Sequence, residues 1–560
     1  MRAEWRRIVR LGRTFFGRLF ESELMPPGVP QVELVIGSIV LLGAPGFFLS
    51  FVRIAYGMPL LAIASDRLIL FTFAMITMGF VGLATWDGVF PDRRDARVLG
   101  PLPIRTSTLV LARLGALGSL FGLFIAGTQA VPAVLFEGVA TYVGGPGWMP
   151  RAMLAHFIAT VLASAFVFFG LIALQCGLLL VLPRSAAQRV AVALQTLLAT
   201  GLLLMLLVLP HLRGRIDTDA GAAWMSSRLA RLLPSVWFIR LYEMLCGVAG
   251  AGGSGAGAGA LILTLSITAA AILLYGASYH RLTRHAIETP PGAPARVPMA
   301  WPRELASLVP AWLRGSQITR AVCVFTLRTL VRSRQHRMLL ALYFAVALAL
   351  IVTGALPMAL GHDALTLAHP RVAIMSAPLV LLFFMLIGIW TLFAMPVELG
   401  ANWVFRLREP VDRRAVVRGV ARAMLAGCVV PVALSAAVIS GWLWGARVGI
   451  LHGVFCGLMG LALVEVLLIH FCKVPFTCTY FPGTARLRVL WPAYLAAFTN
   501  YAYTAASLET DILLTHPLAY GVFCGILAFA IAALAVTRAR ALARRTGLLF
   551  EEPDPDALFA

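Results

Sequence analysis

Between Trp86 and Arg113 the chain reads WDGVFPDRRDARVLGPLPIRTSTLVLAR, and the six residues from Asp92 to Arg97 hold three arginines and two aspartates. Guanidinium and carboxylate groups packed this densely make a charged surface that can dock on a partner through forked hydrogen bonds. Asp92, Arg93, Arg94 and Arg97 are followed by Pro103 and Arg105. Proline cannot continue a helix from behind but suits its first turn, and Thr106, Ser107 and Thr108 can cap the helix that follows. The expected element is a short, stiff elbow that presents charged side chains. The same residues also fit a plain basic loop that sets orientation and starts a helix.

A second stretch, ELGANWVFRLREPVDRRAVVRGVARAM from Glu398 to Met424, repeats the arrangement. Leu99, Pro103, Arg105, Val110, Ala112 and Arg113 find approximate partners in Leu407, Pro410, Arg413 or Arg414, Val417, Ala421 and Arg422, with register shifts of one or two residues. Arg406, Arg408, Pro410, Arg413 and Arg414 thus form a second elbow. Two such loops at corresponding places indicate that the halves of the chain are related.

Other chemistry is sparse. Glu465, in GLALVEVLLIHF, is the clearest titratable group inside an apolar run, with His156 and His452 behind it. Glu465 reads either as a carboxylate hydrogen-bonded to a neighbouring helix or as a group on a substrate path. Gln175 and Gln195 read as hydrogen-bonding groups between helices, and Trp224 and Trp237 as interfacial anchors. There is no HExxH, no GxSxG and no paired acidic metal motif, so no catalytic and no metal site is expected, and the chain does not read as an enzyme. The eight cysteines lie mostly in apolar runs without CxxC pairs and read as small core residues.

The elements that must position these groups follow from composition. The chain is 60% hydrophobic and 13% charged, with a mean hydropathy of +0.88. That is too apolar for a soluble surface. The fold class is all-α: a polytopic membrane protein of about twelve transmembrane helices, in two related six-helix units. Apolar runs of about 20 residues suffice to cross a bilayer, and they fall at 34–55, 67–90, 107–136, 153–182, 189–210 and 258–279, then at 337–360, 373–397, 415–440, 446–471, 487–507 and 511–536. The net charge of +21 is almost all arginine, since Lys473 is the one lysine. These residues sit in alternate loops, which places both termini in the cytoplasm of a multi-pass inner-membrane protein and argues against nucleic acid as a partner. The lipid bilayer is the expected surrounding.

The expected segments are an amphipathic interface helix at 1–33, a first six-helix unit at 34–287, a linker at 288–313, a second interface helix at 314–336, a second unit at 337–537 and a tail at 538–560. On the helical wheel Trp5, Ile8, Phe15 and Phe16 oppose Arg6, Arg7, Arg10 and Arg13, so the first helix should lie on the inner leaflet. Residues 211–257 are arginine-bearing yet should be outside, and their amphipathic middle suits a segment lying on or dipping into the outer leaflet. Gly247 to Ala260, GVAGAGGSGAGAGA, reads as a flexible hinge. No trustworthy cleavage site follows the first apolar run, so a cleaved signal peptide is not expected.

LGPLPIRTSTLVLARL resembles the segment after the second helix of type-2 ABC exporter permeases, L-x-x-L-P-[IV] followed by an apolar stretch ending in [AG]-[KR]. The order of parts is similar too: interface helix, two spans, charged loop, four more spans, and an outer segment before the sixth. The second half matches less closely, because Glu409-Pro410-Val411 replaces the usual leucine-proline pair. The resemblance implies a permease with two fused units, whose elbows fit grooves on separate ABC ATPase subunits, two copies being expected. ATP and magnesium would then sit on the partner. This chain has no cofactor of its own and no Gly-Lys-Ser/Thr phosphate loop. An apolar interior favours a lipidic or amphipathic substrate. Gly88 to Arg93 also resembles the first half of the G-x-x-x-D-R-x-G-R-R loop of major facilitator transporters, which implies the alternative of an ion-coupled secondary transporter. A scaffold that has lost its coupling stays open as well.

Overall fold

Inside hydrocarbon every backbone N–H and C=O must be satisfied within the protein, and apolar runs without strand alternation do this as helices. The computed structural model describes residues 2–18, 31–56, 62–86, 88–90, 102–143, 148–216, 232–247, 251–288, 316–360, 370–396, 412–477, 496–544 and 548. Among them there is no β-strand, and ten helices are long and apolar enough to cross a membrane. The protein is an all-α, multi-pass membrane protein.

The chain divides into two units, Met1–Val297 and Pro298–Ala560. Unit 1 contains α1 (Arg2–Arg18), α2 (Gln31–Tyr56), α3 (Ala62–Ala84), α4 (Thr106–Val143), α5 (Met149–Val181), α6 (Arg184–Ile216), α7 (Pro234–Cys246) and α8 (Ala251–Glu288). Five of these, α3, α4, α5, α6 and α8, have the length and hydropathy of spans. Helix α2 covers the first expected span, with Leu42–Ala55 as its described apolar part. Helix α5 is central: it packs against α3, α4, α7 and α8.

Unit 2 contains α9 (Gln317–Arg332), α10 (Arg334–Leu360), α11 (Val372–Leu392), α12 (Arg413–Met424), α13 (Val430–Trp444), α14 (Ala446–Leu468), α15 (Ala505–Leu508) and α16 (Pro517–Ala543). A π-helical turn, Leu425–Val429, joins α12 and α13 into one span, and two more, Asn500–Thr504 and Glu509–Leu513, flank α15. Of the span expected at 487–507, residues 487–495 lie outside the described residues.

Each unit places its amphipathic helix alike. Helix α1 packs on α4, with Phe15 buried and a Cβ at Gly12 reaching within 3.3 Å of the Ala112 carbonyl. Helix α9 packs on α12, where the Thr319 hydroxyl donates to the Ala415 carbonyl at 3.1 Å.

Two expectations give way. The glycine-rich run is helical from Ala251 onward, not a hinge. One of its glycines serves close approach: a Cβ at Gly257 would lie 2.9 Å from both the Arg240 carbonyl and the Leu241 Cα of α7. Gly247, at φ +80°, caps α7 in the left-handed conformation. At the other terminus α16 continues to Ala543, so Arg538 belongs to the last span and not to the tail.

Candidate functional site

The first elbow is described from Leu102 onward, and Asp92, Arg93, Arg94 and Arg97 lie outside the described residues. Pro103 and Arg105 are exposed just ahead of α4. The Arg105 carbonyl accepts from the Thr108 and Leu109 amides, so the helix winds directly off the elbow. Its guanidinium lies 3.8 Å from Glu4 of α1. Beside it an open groove is lined by Glu4, Trp5 and Ile8 of α1 and by Ser107, Thr108 and Leu111 of α4.

The turn that enters the elbow is held from several sides. Gln175 of α5 donates to the Trp86 carbonyl at 2.7 Å, and Tyr275 of α8 donates to the Val89 carbonyl at 2.7 Å. Arg113 of α4 donates to the Gly88 and Phe90 carbonyls, and its guanidinium stands 4.9 Å from the centre of the Phe15 ring. The Phe90 and Tyr275 rings stack at 5.6 Å. Burying carbonyls at a turn is tolerable only when donors reach them. Side chains from three spans supply those donors, so the position of the turn is coupled to theirs.

In unit 2, Arg406, Arg408 and Pro410 lie outside the described residues, whereas Arg413 and Arg414 open α12, capped by Asp412 accepting from the Ala415 amide at 3.1 Å. The turn after α11 is caught by different groups. The Phe476 amide donates to the Phe393 carbonyl at 3.1 Å, and His336 Nε2 lies 3.2 Å from the Met395 carbonyl. That contact requires the proton on Nε2, leaving Nδ1 to accept from Ser333 at 2.7 Å.

A second site lies at the far end of α3, about 28 Å along the helix by its rise per residue. Arg67 donates twice to Glu137 of α4, from Nε and Nη2, both at 2.9 Å. Nη2 also donates to the Tyr242 hydroxyl of α7 at 3.1 Å, and that hydroxyl donates to Glu137 Oε2 at 2.8 Å. Burial pushes the Tyr242 hydroxyl well above its ordinary range, so it remains a donor. His156 of α5 completes the group, with Nδ1 2.8 Å from Glu137 Oε1. The rings of Phe71, Phe136 and Tyr242 surround the imidazole, and Nε2 has no hydrogen-bond partner among the described residues. Next to it Arg53 of α2 pairs with the fully buried Asp66. Four elements therefore meet on one carboxylate.

Unit 2 has a related arrangement. His452 of α14 lies with Nδ1 at 3.0 and 3.1 Å from the two Glu509 oxygens, in the π turn ahead of α16. Glu465 occurs on α14 as expected and forms an ion pair with Arg538 of α16 at 3.0 Å. Among the described residues no group of three or more His, Cys, Asp or Glu is arranged to hold a metal.

Comparison with protein-family models, curated proteins and solved structures gives no match to this chain. The site therefore stands on its own geometry. Of the residues marked in the sequence, Gln175 does bridge helices, in its case to the turn beyond α3. Gln195 is buried with neither amide atom bonded among the described residues. Trp224 lies outside them, and Trp237 packs edge-on against Phe166. Sequence reasoning missed Arg67, Glu137, Tyr242 and Tyr275. The available signal was the rarity of charge inside an apolar run, which Asp66, Arg67 and Glu137 all display.

Proposed function

We propose that the chain is the membrane-spanning subunit of an ATP-driven exporter of the type-2 ABC kind, set in the inner membrane with both termini cytoplasmic. Its elbows, from Asp92 to Arg105 and from Arg406 to Arg414, receive the movement of separate ATPase subunits that carry ATP and magnesium. One observation carries this reading: in each unit the amphipathic helix packs on the helix that follows the elbow, α1 on α4 and α9 on α12. A force on the elbow is thereby shared between a surface helix and a span. The hydrogen bonds of Gln175, Tyr275 and Arg113 extend the linkage to α5 and α8. In a close-packed interior such displacements pass on as rigid shifts. The substrate is lipidic or amphipathic, in keeping with the few fixed charges inside the helices.

The test is co-purification from gently solubilised membranes. Tagged protein should bring down an ATP-hydrolysing partner, and alanine at Arg97 and Arg105 should release it. If no ATPase is recovered and both variants transport normally, the proposal fails. Transport that follows the proton gradient and is lost in Glu465→Gln would favour the secondary-transporter reading instead.

A further inference from the structure

We propose that His452 and Glu509 form a proton-binding site in unit 2, a buried imidazole–carboxylate pair whose ligand is one exchangeable proton, whereas the corresponding His156–Glu137 pair of unit 1 is closed to that exchange by Arg67. The proposal does not depend on an ATPase partner.

The imidazoles are placed alike. His156 and His452 each lie within about two turns of the start of the helix that follows the long span after their unit's elbow, α5 and α14. Both are buried, and both contact a glutamate through Nδ1. The carboxylates come from different elements: Glu137 from the end of α4, Glu509 from the π turn ahead of α16.

Charge separates the two. In unit 1 the guanidinium of Arg67 neutralises Glu137 with two hydrogen bonds, and Tyr242 adds a third. The group is neutral with His156 uncharged, and a further proton would leave a net positive charge buried. In unit 2 no cation other than His452 pairs with Glu509 among the described residues. Without a proton the pair carries a buried negative charge, with two it carries a positive one, and only one proton leaves it neutral. A buried uncompensated charge is expensive, so the proton stands where the guanidinium stands in unit 1.

Among the described residues the surroundings offer no substitute. Helices α11 and α13 carry no ionisable residue. Nearby thiols and phenols among the described residues are Cys456 on α14, with Sγ 3.6 Å from His452 Nε2, Tyr501 and Cys428 on the other two π turns, and Tyr520 and Cys524 on α16, while Arg447, five residues before His452 on α14, is exposed. Asp511 is exposed, and Glu465 with Arg538 lies 13 residues further along α14, about 20 Å away. The Tyr501 hydroxyl is buried without a partner among the described residues. Three π turns contribute to this region, and such turns concentrate at functional sites. A proton arriving from water sits between Glu509 Oε and His452 Nδ1 and departs to water. While present it leaves the junction between α14 and the segment entering α16 uncharged, and when it is lost the neutral imidazole still donates from Nδ1 but the junction holds a buried, uncompensated carboxylate.

The test is a pH-difference infrared titration of the full chain in liposomes, from about pH 5 to about pH 9, which brackets imidazole and carboxyl titration in shifted sites. Beyond the imidazole steps of its other histidines, which persist in every variant, wild type should show one step in which carboxyl and imidazole bands change together. Glu509→Gln should abolish the step in both bands, His452→Gln should displace its midpoint by at least one pH unit, and Glu509→Asp should keep it with a shifted carboxyl frequency, which serves if the Gln variant does not fold. A step that survives unchanged in Glu509→Gln or in His452→Gln, no step in wild type, or a step that disappears instead in Glu137→Gln would overturn the proposal.

Discussion

Arg67 and Glu137, separated by 70 residues of sequence, meet through two hydrogen bonds of 2.9 Å at a depth where neither side chain is more than 7% exposed. Removing one member strands the other charge, which costs about 3–5 kcal/mol for a buried pair. Arg67→Met or Glu137→Leu alone should therefore sharply lower the unfolding midpoint in detergent, and the double variant should recover much of the loss. If the double variant loses as much as the sum of the singles, the pair is not coupled as described.

This pair also marks how far the sequence could be read. Hydropathy locates most of the spans, because the bilayer sets their length and composition. The elbows are legible because proline, capping residues and clustered arginines act locally. The network around Glu137 is not, because its members lie 19, 70 and 105 residues away and only packing selects them. The run from Gly247 to Ala260 misled for the opposite reason: glycine promises freedom locally, yet here its missing side chain admits α7.

Close approach of that kind gives a second prediction. Helices α13 and α14 pack tightly through Gly441 and Gly449, joined by Gly445 at φ +95°. A Cβ at Gly449 would lie 2.5 Å from the Ala437 carbonyl and 2.6 Å from the Gly441 Cα, all of it backbone. Gly449→Ala should destabilise the protein by about 1–3 kcal/mol, as overpacking does. Gly457→Ala, whose nearest neighbour is 3.9 Å away, should be neutral or slightly stabilising, and equal effects in a thermal-shift comparison would refute the contact.

The turn before the first elbow gives a third. Tyr275→Phe removes the hydroxyl that donates to the Val89 carbonyl, and Gln175→Leu removes the donor to Trp86. Each leaves a buried acceptor unmet, at about 1–3 kcal/mol. Both variants should fold, with lower midpoints. Under the proposed function they should also uncouple substrate-stimulated ATP hydrolysis from transport.

Arg105 separates stability from docking. Its side chain is 82% exposed and its contact with Glu4 spans 3.8 Å, a surface pair of the kind that adds little to stability. Arg105→Ala should leave the stability within about 0.5 kcal/mol of wild type, while an arginine used to grip a partner is not replaceable by alanine or fully by lysine. Recovery of the ATPase on a tagged chain should therefore fall in the order wild type, Arg105→Lys, Arg105→Ala, at unchanged melting temperature. A melting temperature that falls in parallel with partner recovery would mean that Arg105 serves the fold of unit 1 and not its docking surface.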